Sequence, residues 1–475
     1  MTLKSFTVLG MSALMLLVLV LSMSLCGSEA GAQLLLSLVV SAALAIGVYR
    51  WALKPTRAGV AVLLVTAAVM SVGVILNVYL FTSVDGGTLS GPVLHNTDAA
   101  LNYYHASTIY HKVSPIHGGT VPLLSYVTVA IWWLFGQSVV YPLALNVTVT
   151  LIAIVLSGRL AQVLLDGVVT NLPAEVVATL AMALTAAVCN LIGNGMVLLK
   201  EPFVYAGFTA VAIIVAKVYR GLRLTWRDVA LFAVGSALLS LSRPQMMYFV
   251  LLALVAVCCL RFKTGWKGIV SLICVAVAFL GVGTLATRED AGKTVAIVTD
   301  GDMMQWEYLG ERTDSRYDNY RVIVGDYFHA STARKVLLLP VTAAVQYVIP
   351  FSWTYKRDME FGYSQAYNHF GYTWYALGGI VLFYYIFLWW RRGTPLRMWA
   401  LWPLLGWLIV AFLYAGIISR YAVPFVPLMT PLAIVVVSRL KAGLCRTPFY
   451  IWAGAYTCVM AAGLLGCYFV QRSIA

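Results

Sequence analysis

Four charged positions in a largely apolar chain carry most of the chemistry this sequence can offer: Asp98, Lys200, Arg243 and Arg420. Asp98 lies in GPVLHNTDAALNYYHAS, where a carboxylate can take a proton from a hydroxyl nucleophile or ligate a divalent metal. It can also cap a helix that begins at Ala99, because Asp before Ala-Ala-Leu is a good helix start. The two roles are compatible. His95, His105, His111 and His117 are four of the six histidines and share this stretch. His105 and His111 lack the i, i+4 spacing of a helical metal pair, and His95 meets Asp98 only if the segment is helical. Tyr103, Tyr104 and Tyr110 suit a belt at the water boundary, although stacking on a sugar ring would use the same residue type.

Lys200-Glu201-Pro202 places a cation and an acid where Pro202 would begin a helix. The pair is either a structural ion pair or a site where Lys200 meets an anionic lipid phosphate. Arg243 stands in Ser-Arg-Pro and Arg420 in GIISRYAVPFVPLMTP, each between apolar runs. An arginine near membrane depth costs several kcal/mol unless paired, and its planar fork suits bidentate phosphate recognition. Snorkelling to lipid headgroups is the alternative.

The elements that must position these residues follow from composition. Of 475 residues, 61% are hydrophobic and 11% charged, with a mean hydropathy of +0.87. Soluble chains sit near about 45–50% apolar and about 25% charged. The surplus apolar surface has no solvent except lipid, which excludes a soluble enzyme, a disordered chain and a coiled coil. Apolar runs at 6–26, 32–49, 58–81, 138–158, 174–194, 202–218, 228–243, 245–261, 266–286, 372–390, 397–417, 421–438 and 449–470 predict an all-α, polytopic membrane protein with about thirteen transmembrane helices. The first, after Lys4, reads as a retained signal anchor. The segments 120–136 and 335–353, interrupted or flanked by Pro122, Pro340 and Pro350, are expected as interfacial or re-entrant helices on the outer face.

With those two segments outside, every short basic loop falls on one side: Arg50/Lys54/Arg57, Lys217/Arg220/Arg223/Arg227, Arg261/Lys263/Lys267, Arg391/Arg392/Arg397 and Arg439/Lys441/Arg446. The inner side then carries net +15 and the outer −1, so the basic balance is a topology signal. A nucleic-acid partner is not indicated, because no soluble domain presents this charge. The eight cysteines lie mostly in apolar runs and suggest neither disulfides nor a zinc motif. No Walker motif, nucleotide fingerprint, Gly-x-Ser-x-Gly elbow or internal duplication occurs. Non-repetitive polar sequence concentrates in the outer loops 82–137 and 287–371. The stretch Arg288–Asp326, with Trp306, Tyr308, Tyr317 and Tyr320, is either an acceptor-binding lid or simply a solvated loop.

The order TDAALNYYHAS, PLLSYVTVAIWWLFGQSVVYPLALNVTVTL, LLKEPF and RYAVPFVP resembles the GT-C superfamily of integral-membrane glycosyltransferases over roughly residues 58–440. The resemblance implies a polyprenyl-phosphate sugar donor, with Asp98 as base or metal ligand and Arg420 near the donor phosphate. The chain departs from the family in having Asp98-Ala99 where an adjacent acidic pair is common. It also has three helices, not one, before that loop. O-antigen polymerases are similar almost to the same degree and would rely on Arg243 and Arg420; a lipid-linked oligosaccharide flippase is a third reading.

The expected organisation is a two-helix extension at 1–57, a transmembrane core at 58–440 and a C-terminal helix at 441–475. The expected activity moves a sugar from a polyprenyl-phosphate carrier to a glycan, lipid or protein acceptor at the periplasmic face of a bacterial inner membrane. Asp98 would be the catalytic base, with Lys200, Arg243 and Arg420 on the donor phosphate. His95, His105, Glu201 and Tyr104 are accessory candidates, and a divalent ion is an open option.

Overall fold

The computed structural model describes residues 2–83, 97–112, 123–243, 246, 331–348, 372–391, 393–414 and 423–474. His95, Arg420, the spans at 245–261 and 266–286, the basic cluster at 261–267 and most of the 287–371 loop lie outside the described residues. Every regular element among the described residues is helical. Among the described residues, five helical stretches are long and apolar enough to cross a membrane: Leu3–Ala52, Arg57–Tyr79, Val140–Leu165, Glu201–Arg220 and Val423–Lys441. Shorter apolar helices occupy Leu123–Phe135, Ala174–Ala186, Tyr375–Leu388 and Arg397–Phe412. The chain divides into two compact units, residues 1–167 with 172–273, and residues 168–171 with 274–475.

The first unit begins with α1, Leu3–Ala52, which is two helices joined at Gly27 (φ 78°, ψ −178°). A straight helix would separate residues nine apart by about 13 Å. Here the Ser22 hydroxyl donates to Gly31 O at 3.2 Å, so the chain folds back. Glycine is needed at the turn because the left-handed region penalises a Cβ. α2, Arg57–Ser83, runs alongside: Gly10 lies against Leu64, and Cys26 against Ile75 O, whereas Tyr49 lies against Gly59. The first limb is therefore parallel to α2 and the second antiparallel. The expected spans 6–26 and 32–49 correspond to these limbs.

α3 (Thr97–Tyr110) and α4 (Leu123–Phe135) form a short pair, about 20 Å each and too short to cross about 30 Å of hydrocarbon. α5 (Val140–Leu165) is the axis of the unit and packs on α1, α6 and α8. The expected span 174–194 is instead two pieces, α6 (Ala174–Ala186) and α7 (Cys189–Gly195). α8 (Glu201–Arg220) starts beside Pro202 and stops at Gly221 in the left-handed conformation. It buries every residue from Glu201 to Ala216, as a helix apolar all round must. α9 (Trp226–Ser242) crosses it where Gly207 and Gly235 meet; a Cβ on Gly207 would lie 2.8 Å from Gly235 O.

These directions sort the unit into two ends. At one, Lys54 Nζ meets Glu175 Oε1 at 2.8 Å, Arg220 donates to Asp166 O, and Lys217 Nζ meets Asp228 Oδ1 at 2.6 Å. The hydrogen bond and charge of Glu175 raise the Lys54 ammonium above its ordinary pKa. The basic turns at 50–57 and 217–227 thus share this end, as the charge pattern requires. The opposite end holds Gly27, the α7–α8 junction and Arg243.

In the second unit, α10 (Thr332–Val348) packs on α12 (Arg397–Tyr414). α11 (Tyr372–Phe383, extended by a π-helical turn at Tyr384–Leu388) packs on α13 (Val426–Lys441) and α14 (Arg446–Ile474). Trp399 Nε1 donates to Leu428 O at 3.3 Å, and Trp452 Nε1 to Gly379 O at 2.9 Å. Arg391 Nη1 lies 3.3 Å from Cys445 Sγ, which brings the basic turns at 391–397 and 439–446 to one end.

Candidate functional site

The site begins with a break in a helix. Between α7 and α8 the backbone at residues 196–199 is not helical, so its carbonyls lose their i+4 helical partners, although Val197 O accepts locally from Leu199 N at 2.8 Å. A bare carbonyl away from water costs several kcal/mol, and irregular backbone at membrane depth survives only inside protein. Three asparagines solve this. Asn77 of α2 donates to Met196 O at 2.9 Å, and Asn102 of α3 donates to Leu198 O at 3.0 Å. Asn146 of α5 donates to Val197 O at 2.7 Å and Leu199 O at 2.9 Å. Four successive carbonyls are thus satisfied by three helices, and all three side chains are buried.

The clamp fixes Lys200 as the N-cap of α8 and Glu201 as its first residue. Glu201 Oε1 pairs with Arg243 Nη2 at 3.1 Å, and the two side chains are 3% and 14% exposed. Arg243 terminates α9 with non-helical backbone (φ −155°, ψ 82°), as a residue before proline tends to, while its N–H still bonds to Leu239 O at 2.7 Å. Glu201, the neighbour of Lys200 in the chain, thus has a salt-bridge partner 42 residues away. Nearby, Asn194 Nδ2 donates to the Tyr205 hydroxyl at 2.7 Å.

α3 docks on the same junction. Asn102 bonds to Leu198 O, and its own carbonyl accepts from Ser125 of α4 at 3.1 Å. Asp98 is four residues earlier, about 6 Å along the axis. Asp98 is a residue of the helix Thr97–Tyr110 and so is not the N-cap of one starting at Ala99. His105, at 3% exposure, lies inside the packing, and Thr108 donates to its carbonyl at 2.9 Å. Tyr104 meets the His105 ring edge-on at 6.3 Å between centroids. Tyr103 and Tyr110 set their rings against the buried Trp132 at 5.5 and 5.6 Å and so serve the α3–α4 contact. Among the described residues no three His, Cys, Asp or Glu side chains gather as metal ligands.

The arrangement can bind an anion. A helix N-terminus, Lys200 and Arg243 lie at one end, with one carboxylate against them. Lys200, Glu201 and Arg243 stand out in the sequence by their charge, whereas the three asparagines do not. Their signal was a single Asn after Leu in apolar runs: Leu76-Asn77, Leu101-Asn102 and Leu145-Asn146. Fold and composition define an all-helical membrane protein. Protein-family models, curated proteins and solved structures all lack a match to this chain.

Proposed function

We propose that this chain is an integral-membrane glycosyltransferase of about thirteen spans that moves a sugar from a polyprenyl-phosphate carrier to an envelope acceptor, at the periplasmic face of a bacterial inner membrane. Asp98 takes the acceptor hydroxyl proton, and the acceptor oxygen attacks the anomeric carbon. The sugar–phosphate C–O bond breaks, and the phosphate leaves with the bonding electrons. Lys200, Arg243 and Arg420 stabilise that anion, each kind of contribution being typically on the order of 10²–10⁴ in rate. One observation carries the reading: the Asn102 bond to Leu198 O ties the helix of Asp98 to the segment that ends in Lys200.

The test is transfer from a labelled polyprenyl-phosphate hexose by purified protein in lipid nanodiscs. Asp98→Asn is expected to reduce transfer by about 10²–10⁴-fold with unchanged folding. Full activity in that variant overturns the role of the acid. A polymerase is instead expected to tolerate Asp98→Asn, lose activity on Arg420→Ala and make long glycans. Activity that survives EDTA assigns Asp98 to proton transfer, and activity restored by Mg²⁺ or Mn²⁺ assigns it to a metal.

A further inference from the structure

Glu201 and Arg243 form a shielded ion pair at a place where the fold has little need of one. Removing two charges from water costs about as much as their attraction returns, so a buried pair is weak grounds for a stability role. The α8–α9 hairpin is already joined at its other end by Lys217–Asp228 and at its middle by the Gly207–Gly235 contact. Glu201 also stands beside Lys200 at a helix N-terminus, where an anion is favoured from two directions. A carboxylate and a phosphate present similar oxygen pairs to a guanidinium.

We infer that Glu201 is an internal stand-in for a ligand phosphate: its carboxylate holds Arg243 while the site is empty and yields it when a polyprenyl phosphate arrives. This rests on the proposed function, which supplies the ligand. No bond is made or broken in the exchange; the guanidinium changes oxygen partners. Glu201 is a positioning residue that acts through Arg243, and it taxes affinity, because the ligand must compete for a cation already engaged. The same competition speeds departure of the spent carrier, since Glu201 takes Arg243 back.

Binding of a long-chain polyprenyl monophosphate in nanodiscs tests this, with polyprenol and inorganic phosphate as comparison probes. Wild type is expected to bind the lipid phosphate and not the polyprenol. Glu201→Gln is expected to bind about tenfold tighter while turnover falls, so KM and kcat drop together. In an Arg243→Gln background, Glu201→Gln is expected to change affinity little; the double variant removes both charges of the pair together and so guards against misfolding. If Glu201→Gln is not recovered folded, Glu201→Asp, with its carboxylate drawn back, is expected to shift affinity in the same direction. Wild-type-like or weaker binding in the Glu201 variants overturns the stand-in alone. Inorganic phosphate showing the full pattern without the lipid keeps the stand-in and removes the lipid donor. A wild type that binds no phosphate probe overturns both.

Discussion

The two ion pairs of the α8–α9 hairpin differ in what surrounds them. At the turn, Asp228 spreads its charge over local groups: Oδ1 takes Lys217, while Oδ2 takes both the backbone N–H and the hydroxyl of Thr225 at 2.7 Å. That is a capping box with a lysine added, and helix start and loop geometry account for it. At the far end, Glu201 reaches Arg243 across 42 residues, next to backbone that needs three asparagines to be tolerated. Helices close more cheaply than this. The difference locates the polar investment of the unit at the α7–α8 junction.

Substitutions can break that contrast, and the largest effect is expected at the far end. Arg243→Met takes the guanidinium from the shielded Glu201 carboxylate and is expected to cost about 3–5 kcal/mol, whereas Lys217→Met, with Asp228 still capped by Thr225, is expected to cost about 1 kcal/mol. Reversible unfolding in mixed micelles measures both, and equal costs would erase the distinction. Next comes Asn146→Ala, which strips the amide from Val197 O and Leu199 O and is expected to cost about 2–5 kcal/mol. Asn77→Ala and Asn102→Ala each uncover one carbonyl, at about 1–3 kcal/mol. Gly235→Val, between the ends, overpacks against Ala210 and Gly207 O and is expected to cost about 1–3 kcal/mol. Lys54→Ala removes a solvent-exposed pair and is expected to leave the transition unmoved.

How legible this was depends on which partner speaks in the sequence. Helix α8 announces itself through Pro202 and Gly221, and the long apolar helices through their length. The span expected at 174–194 fails because apolar content does not register a break at Ala187 and Val188, nor the loss of helix after Gly195. The clamp was hidden for a different reason. Its donors are visible as isolated asparagines, but its acceptors are carbonyls of Met196, Val197, Leu198 and Leu199, which no side-chain pattern encodes. Glu201 invited pairing with the adjacent Lys200, and only the path of α9 brings Arg243 to it.

The reversal at Gly27 settles more than the shape of α1. Because the chain doubles back at one residue, the first fifty residues form a pin whose two feet, near Thr2 and Lys54, stand at the same end of the helices. Arg50, Lys54 and Arg57 share that end with Thr2.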